Sequence, residues 1–237
     1  MGEGPLRRSR RGVRSWASPG VAVGPGTSGA TLGAVRVIEV FADIVCPFTH
    51  IGLRRLVEHR AGLGRDDVRL HVRSWPLEIV NGNPVDPAFI AHEIDDLRRQ
   101  VAGDLFTGFD VAAFPATSLP ALALTLAAYE VAIETGEAVA LRLRDALFEE
   151  GRDVADPAVL AEIAAAYGLD GPASDDAVLA DHAEGARRGV IGSPHFFLPD
   201  GGATFCPSLD IRKGEAGLRV AIDPQGFAGL VESCFAP

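Results

Sequence analysis

The sequence predicts an α/β domain that is interrupted by an all-helical domain. Two strand-like segments flank one helix-like segment in residues 34–83, and only helical patterns follow in residues 84–188. Residues 189–237 return to strand patterns before a last helix. A strand, a helix and a strand in succession form a parallel pair with a right-handed crossover. We therefore expect the two outer segments to share one sheet and the middle segment to form an inserted helical domain.

The first 33 residues do not take part in this pattern. They are rich in Gly, Ser, Pro and Arg and show neither a helical nor a strand period, so we predict a disordered tail over residues 1–33. The paired arginines of "RRSRR" are typical of export signals, but the stretch "VAVGPG" after them is too short and too broken for an apolar core. We therefore expect no export.

Composition excludes several classes of partner. The formal net charge is −10, whereas a nucleic-acid surface would be basic. The sequence has no run of 18 apolar residues that would predict a membrane span. The three cysteines, Cys46, Cys206 and Cys234, are too few for a disulfide framework and lack metal-ligand spacing. The sequence thus predicts a cytoplasmic protein with no metal site and no nucleic-acid or membrane partner.

Residues 34–83 contain the first strand, helix and strand. The segment "AVRVIEVFAD" is nearly continuous in β-branched and aromatic residues, which is typical of a strand buried on both faces. The segment "CPFTHIGLRRLVEHRAGLG" predicts a helix, because Pro47 suits a first helical turn and Gly62 or Gly64 suits its end. In "DVRLHVRSWPLEI" apolar and polar residues alternate as in a strand, which Pro76 ends.

Five helices are predicted in residues 84–188, where four of them begin at a good capping residue. The predicted N-caps are Asp86, Ser118, Asp156 and Ser174. Gly136 is predicted to end the second helix, and the third follows in "EAVALRLRDALFEEG". Consecutive helices of this length form a bundle.

Residues 189–237 return to strands. In "HFFLPDGGATFC" two short apolar runs flank "PDGG", which indicates a β-hairpin. Near the end, "DPQGFAGLVESCF" predicts a helix that Asp223 caps. The segment "SLDIRKGEAGLRVAI" between them predicts no single structure.

Cys46 is the candidate nucleophile, since it follows a strand and precedes a helix. Free backbone N–H groups and the helix dipole at such a position favour the thiolate over the thiol. They can lower a cysteine pKa to about 3.5–7.5, and the thiolate is the form that attacks disulfides. The alternative is a buried apolar cysteine at the end of a strand. Far along the chain, Ser193 and Pro194 precede another strand, where a proline is either an edge device or part of a cis-proline loop.

These segments together resemble the DsbA-like thioredoxin superfamily, in particular its FrnE-type branch, which is related to 2-hydroxychromene-2-carboxylate isomerases and kappa-class glutathione transferases. The likeness rests on "VFADIVCPFTHIG", "RSWPLEIVNGNPVDP", "LFEEGRDVADPAVLAEIAAAYGLD" and "GVIGSPHFFL". The resemblance implies a thioredoxin-like fold with an inserted helical domain. It also implies a cis-proline loop opposite Cys46 that pairs with a substrate chain. The substrate-binding residues predicted on this basis are Pro47, Phe48, Ser193, Pro194 and His195.

The sequence departs from the redox members of that family at one position. They carry C-P-[WF]-C, and here Thr49 stands in place of the second cysteine, so the usual internal disulfide cannot form. Thr49 can instead donate a hydrogen bond to the sulfur, and His50 can serve as a cation or general base, which makes both of them candidate catalytic residues with Cys46. A small thiol would then resolve a mixed disulfide, or Cys206 would do so as a candidate resolving thiol.

Three functions remain open at this point. The preferred one is a cytosolic DsbA-like thiol–disulfide oxidoreductase or thiol transferase that uses Cys46 alone on a small-molecule or protein thiol or disulfide. The second is a transferase or isomerase of the kappa or chromene-carboxylate kind, although those enzymes place a serine at the position of Cys46. The third is a non-catalytic binding module. No tightly bound cofactor is expected; glutathione or mycothiol is the candidate low-molecular-weight thiol, and a homodimer is a candidate assembly.

Overall fold

The computed structural model describes residues 35–214 and 217–235, so the predicted tail over residues 1–33 lies outside the described residues. The described residues form one compact unit. The strands are β1 Arg36–Ala42, β2 Val68–Ser74, β3 His195–Phe197, β4 Ala203–Phe205, β5 Leu209–Gly214 and β6 Gly217–Ile222. The helices are α1 Pro47–Leu63, α2 Leu77–Asn81, α3 Pro87–Gln100, α4 Leu119–Val131, α5 Ile133–Phe148, α6 Pro157–Ala166, α7 Asp175–Arg187 and α8 Pro224–Phe235, with a 3₁₀ turn at Val111–Ala113.

The main sheet contains four strands in the order β2-β1-β3-β4. Strands β1 and β2 are parallel, while β3 is antiparallel to β1 and β4 is antiparallel to β3. The predicted β-α-β unit and the hairpin around "PDGG" are therefore confirmed, and the α/β fold with its run of helices between β2 and β3 is as expected. The segment for which the sequence predicts no single structure forms a second, two-stranded sheet from β5 and β6.

Helix α1 is held against the main sheet by a continuous apolar contact. Leu53 and Leu56 on α1 pack with Ile38 and Val40 on β1 in one buried cluster. Pro47 occupies the first turn, and the helix ends at Gly64, which has a φ of 65° that favours glycine. Packing of this kind fixes where α1 begins, and the residue at that start is Cys46.

The five predicted helices between β2 and β3 are confirmed, but one predicted boundary is wrong. Gly136 does not end a helix: the break between α4 and α5 falls at Ala132, and Gly136 lies inside α5. A Cβ at Gly136 would lie 2.1 Å from the ring of Tyr129, so a glycine is needed there for close packing and not for a helix stop. Within the described residues no helix is both long enough and apolar enough to cross a membrane.

Side chains from these helices cover the free edge of β2. The Tyr129 hydroxyl accepts a hydrogen bond from the amide of Val72 at 2.8 Å and donates one to the carbonyl of Leu70 at 2.9 Å. The Glu137 carboxylate accepts a bond from the amide of Leu70 at 2.6 Å, and Asp181 accepts one from that of Ser74 at 2.6 Å. An uncovered edge strand would present unpaired backbone groups. The helices therefore complete the sheet, and the predicted domain boundaries at residues 84 and 188 stay a prediction.

Candidate active site

Cys46 lies at the N-terminus of α1, directly below the loop that leads into β3. It caps the helix by position, and only 3% of the residue is exposed. Its thiol donates a hydrogen bond to the carbonyl oxygen of Ser193, with 3.2 Å between sulfur and oxygen. The peptide bond between Ser193 and Pro194 is cis. The fold thus brings together residues that are about 150 positions apart in the chain.

Two hydroxyl groups connect Cys46 to this loop. Thr49 Oγ1 and Ser193 Oγ are 2.8 Å apart, and Ser193 Oγ also accepts a hydrogen bond from the backbone amide of Asp43 at 2.9 Å. Hydrogen bonding by the Thr49 hydroxyl and backbone amide acts to lower the pKa of the Cys46 thiol. The Ser193 hydroxyl can therefore donate a hydrogen bond to the Thr49 hydroxyl, while the Thr49 hydroxyl donates one to the sulfur. Thr49, which replaces the family's second cysteine, serves here as a donor to the first.

Burial raises the pKa of the Cys46 thiol, because the sulfur is shielded from water. Hydrogen bonds from Thr49 and Ser193 act in the opposite direction, but they do not offset burial, and the nearby Asp43 raises this pKa further. The expectation that the helix start lowers the pKa of Cys46 is therefore wrong for this conformation. The enclosed sulfur is protonated and uses its proton to bond to the Ser193 carbonyl.

Beneath the site lie two fully buried charged residues that the sequence reading missed. The Asp43 carboxylate accepts a hydrogen bond from the amide of Leu77 at 2.6 Å, and burial raises its pKa. Arg144 donates to the carbonyl of Asp43 at 3.0 Å, and burial lowers its pKa to about 10. Arg144 is also within electrostatic reach of Cys46. The sequence signal that could have indicated a buried charge is the position of Arg144 among the apolar residues Leu143 and Leu147 of α5.

His50 points away from the sulfur and into the helical segment. Its Nε2 lies 2.8 Å from the carboxylate of Glu149, and its ring packs against Phe106 and Phe148. Burial lowers the pKa of His50, so the ring is neutral and its Nε2–H donates a hydrogen bond to the Glu149 carboxylate. Burial acts to raise the pKa of Glu149, but bonds from His50 and from the amides of Thr107 and Phe106 lower it to about 2. The fold does not bring the His50 ring to the sulfur, and its catalytic role stays a prediction.

The other predicted binding residues line different faces. Phe48 is half-buried against the apolar core, and Pro47 is buried in the first turn of α1. On β3, Phe196 packs into the cluster under α1, so by strand alternation His195 points to the opposite face of the sheet. Its ring lies 5.1 Å from that of Phe197, and burial lowers the pKa of His195. His195 therefore adjoins the site in sequence while its ring lies across the sheet from α1.

Cys206, like Cys46, bonds to the Ser193–Pro194 segment that leads into β3. Its backbone amide donates a hydrogen bond to the carbonyl of Pro194 at 3.0 Å, and its own φ is 43°, which is uncommon for a residue with a side chain. Burial raises the pKa of the Cys206 thiol to about 12, and the proximity of Cys46 adds to this shift. The Cys206 backbone therefore bonds to the same Ser193–Pro194 segment to which the Cys46 thiol bonds.

The remaining cysteine lies apart from this site. Cys234 is buried on α8 with Leu53 and Leu230, and burial raises the pKa of its thiol to about 12. All three cysteines are free thiols. In the described ranges, 35–214 and 217–235, no three His, Cys, Asp or Glu residues are grouped so that they could hold a metal ion.

Comparison with known proteins gives one family and several solved structures. A family model described as a DSBA-like thioredoxin domain matches residues 37–213. The cytosolic disulfide reductase DsbM from Pseudomonas aeruginosa is similar in structure, with a TM-score of 0.53, 19% identity, and coverage of 83% of this chain and 97% of that one. A 2-hydroxychromene-2-carboxylate isomerase gives a TM-score of 0.50 at 17% identity, with 71% of this chain and 88% of that one covered. A probable DsbA oxidoreductase from Streptomyces coelicolor gives 0.50 at 21%, with 78% and 99% covered. No curated protein matches.

Proposed function

Because the chain belongs to the family of DSBA-like thioredoxin domains, we propose that it is a thiol–disulfide oxidoreductase or thiol transferase whose nucleophile is Cys46. One observation carries the proposal: the Cys46 sulfur lies 3.2 Å from the carbonyl oxygen of Ser193, at the start of a helix. The helix start supplies donors for a thiolate, and the Ser193 backbone supplies a place for a substrate chain.

The hydrogen bonds of Cys46 suggest how a substrate would activate it. In the closed site the thiol proton is bonded to the Ser193 carbonyl. A substrate chain that pairs with the backbone at Ser193 would donate its own N–H to that carbonyl and displace the thiol. The sulfur would then lose its acceptor, while Thr49 would continue to lower its pKa through hydrogen bonding. Such an exchange favours the thiolate, since hydrogen bonds to the charged form lower a pKa.

Buried Arg144 would support the same change. Its guanidinium is held by the carbonyls of Ala140 and Asp43, at 2.7 and 3.0 Å, and lies within electrostatic reach of the sulfur. A fixed positive charge in a region shielded from water stabilises a nearby anion more strongly than it would at the surface. We assign Arg144 as a positioning residue, because it anchors the turn that carries Cys46.

The reaction follows from these groups. The Cys46 thiolate attacks one sulfur of a disulfide R–S–S–R′, forms a mixed disulfide with R, and releases R′ as a thiolate that takes up a proton. A low-molecular-weight thiol then attacks the sulfur of R, so that Cys46 is regenerated as a thiol and R leaves as a disulfide with the small thiol. We propose glutathione or mycothiol for this step and the cytoplasm as its location. The reductase DsbM, which is similar in fold, is described as cytosolic and is also known in a structure with GSH.

The proposal is tested by trapping the mixed disulfide. The reduced protein is incubated with oxidised glutathione, quenched in acid and examined by intact mass spectrometry and peptide mapping. We expect glutathione to attach at Cys46, and we expect Cys46→Ser to abolish attachment. Cys234→Ser is the matched control and should behave as the wild type, because Cys234 lies in the cluster under α8. The absence of any glutathione adduct or disulfide at Cys46, or attachment that persists in Cys46→Ser, would contradict the proposal.

A second variant tests the geometry of the helix start. Thr49→Cys restores the two-cysteine spacing of the family's redox members, on the side chain that already bonds to the sulfur of Cys46. We expect this variant to form an internal disulfide and to reduce insulin in the presence of dithiothreitol faster than the wild type does. Equal rates for the two proteins would mean that the first turn of α1 does not present the two positions as required.

A further inference from the structure

We propose that Cys206 is the second thiol of this site and that it resolves a mixed disulfide on Cys46. This inference rests on the proposed function and assigns to Cys206, in place of an external thiol, the step that releases R from Cys46. The Cys46 thiol bonds to the carbonyl of Ser193 at 3.2 Å, and the Cys206 amide bonds to the carbonyl of Pro194 at 3.0 Å. Both cysteines are therefore anchored to the same two-residue segment, one to each of its successive carbonyl groups.

The chain around Cys206 is shaped to reach this position. Strand β4 ends at Phe205, and Cys206 then takes a φ of 43°, in a region that side chains other than glycine seldom occupy. Such conformations persist where surrounding contacts impose them, and they are concentrated at functional sites. Here the turn carries the Cys206 side chain into the buried cluster that also contains Val45 and Ile51, on either side of Cys46 in sequence.

The two thiols also interact electrostatically. A negative charge on Cys46 raises the pKa of Cys206, whereas Cys46 is not among the groups that shift the pKa of Cys234. Cys234 packs instead with Leu53 and Leu230 under α8. Of the three cysteines, Cys206 is therefore the one positioned to react with Cys46.

The proposed step conserves atoms and electrons. Cys46 first displaces R′ from a disulfide R–S–S–R′, which leaves Cys46 joined to R. The Cys206 thiolate then attacks the Cys46 sulfur, so that a Cys46–Cys206 disulfide forms and R leaves as a thiolate. The two protons lost by the cysteines go to R and R′. The substrate disulfide gains two electrons, the cysteine pair loses two, and two molecules of a low-molecular-weight thiol reduce the pair again with release of their own disulfide.

This arrangement answers the loss of the usual second cysteine at Thr49. In the family's redox motif the resolving sulfur lies one helical turn along α1. Here the resolving sulfur would arrive from β4, on the strand side of the Ser193–Pro194 segment. An intramolecular thiol faces its target at a high effective concentration, so mixed disulfides on Cys46 would be short-lived.

The test compares adduct lifetimes on the full-length chain. Wild type, Cys206→Ser, Cys206→Ala and the control Cys234→Ser are reduced, mixed with oxidised glutathione, and quenched with acid over a time course. We expect the glutathione adduct on wild type and Cys234→Ser to stay roughly tenfold below that on the two Cys206 variants, because the internal thiol removes it. Peptide mapping of the wild type should recover Cys46 linked to Cys206.

The outcomes separate this inference from the function on which it rests. Equal adduct levels on wild type and both Cys206 variants, with no linked peptide in the wild type, would overturn the inference and leave Cys46 as a single-thiol nucleophile. Absence of any adduct or linkage involving Cys46 would overturn the proposed function itself. The linked peptide is measured on the wild type, so the inference can be judged even where a Cys206 variant fails to fold.

Discussion

Thr49→Val tests whether the Thr49 hydroxyl, at the position of the family's second cysteine, stabilises the thiolate of Cys46. Valine keeps the shape of threonine and removes the hydroxyl that bonds to the sulfur of Cys46. The side chain of Thr49 is fully buried, so water cannot replace the lost donor. The thiolate should therefore become harder to form, and the pKa of Cys46 should rise further.

The size of this effect follows from the remaining hydrogen bonds. A hydrogen bond to a charged group contributes about 1.5–3 kcal/mol. The Ser193 side chain, which also lowers the pKa of Cys46, is retained in Thr49→Val, so we take the lower value. About 1.4 kcal/mol corresponds to roughly one pKa unit, or a tenfold smaller thiolate fraction. Since a more basic thiolate is also more nucleophilic, the net loss of rate is about threefold.

The assay is the rate of alkylation of Cys46 by iodoacetamide at fixed pH, followed by mass spectrometry of the peptide. Thr49→Ser keeps the hydroxyl and should stay close to the wild type. The control is Thr125→Val, since Thr125 is equally buried but donates to the carbonyl of Ala121 within α4. Equal rates for Thr49→Val and wild type would refute the reasoning, as would an equal loss in Thr125→Val.

Three further predictions concern pH and packing. Because burial raises the pKa of Cys46, its alkylation rate in the wild type should climb about tenfold per pH unit from about pH 6 to about pH 9; a plateau at neutral pH would contradict this. Gly136→Ala should lower the free energy of unfolding by about 1–3 kcal/mol, because the new methyl group overlaps the ring of Tyr129. The control Gly62→Ala, in α1 with open space around it, should raise that energy by about 0.5–1 kcal/mol, and thermal denaturation measures both. The pKa of Glu149 is lowered to about 2, so its contribution to stability is present above the carboxyl's unfolded pKa of about 4.3 and is lost as the pH falls toward 2. Urea denaturation should show a shallower acid slope for Glu149→Gln, and an unchanged slope would contradict the assignment.

The parts of the fold that could be predicted are those written in local sequence. The β-branched residues of β1 predict a strand, which the structure contains. Asp86 and Asp156 cap their helices through side-chain oxygens, as expected. The hairpin of β3 and β4 follows from its turn residues. The structure groups Cys46, Thr49, Ser193 and Pro194 at the site, and their closeness was expected from the resemblance to the DsbA-like superfamily, which implies a cis-proline loop opposite the cysteine.

The parts that escaped prediction depend on contacts between distant residues. Gly136 looks like a helix stop, but its place inside α5 is set by the ring of Tyr129. His50 is next to Thr49 in sequence, yet the helix turn directs it to Glu149. The pKa of Cys46 depends on how completely the loop before β3 shields the sulfur, which helix geometry alone does not reveal.

The contacts of Tyr129, Glu137 and Asp181 with β2 bear on attempts to make a smaller version of this protein. A truncated chain that joins β2 directly to β3 would retain Cys46, Ser193 and Pro194 but would lose Arg144. It would also leave the amides of Leu70 and Val72 without their partners. Two such chains could pair edge to edge through the exposed backbone groups of β2. A soluble truncated protein would therefore need charged or proline substitutions along β2. Its tendency to aggregate without them would measure how well the removed helices shield the edge of β2 in the full chain.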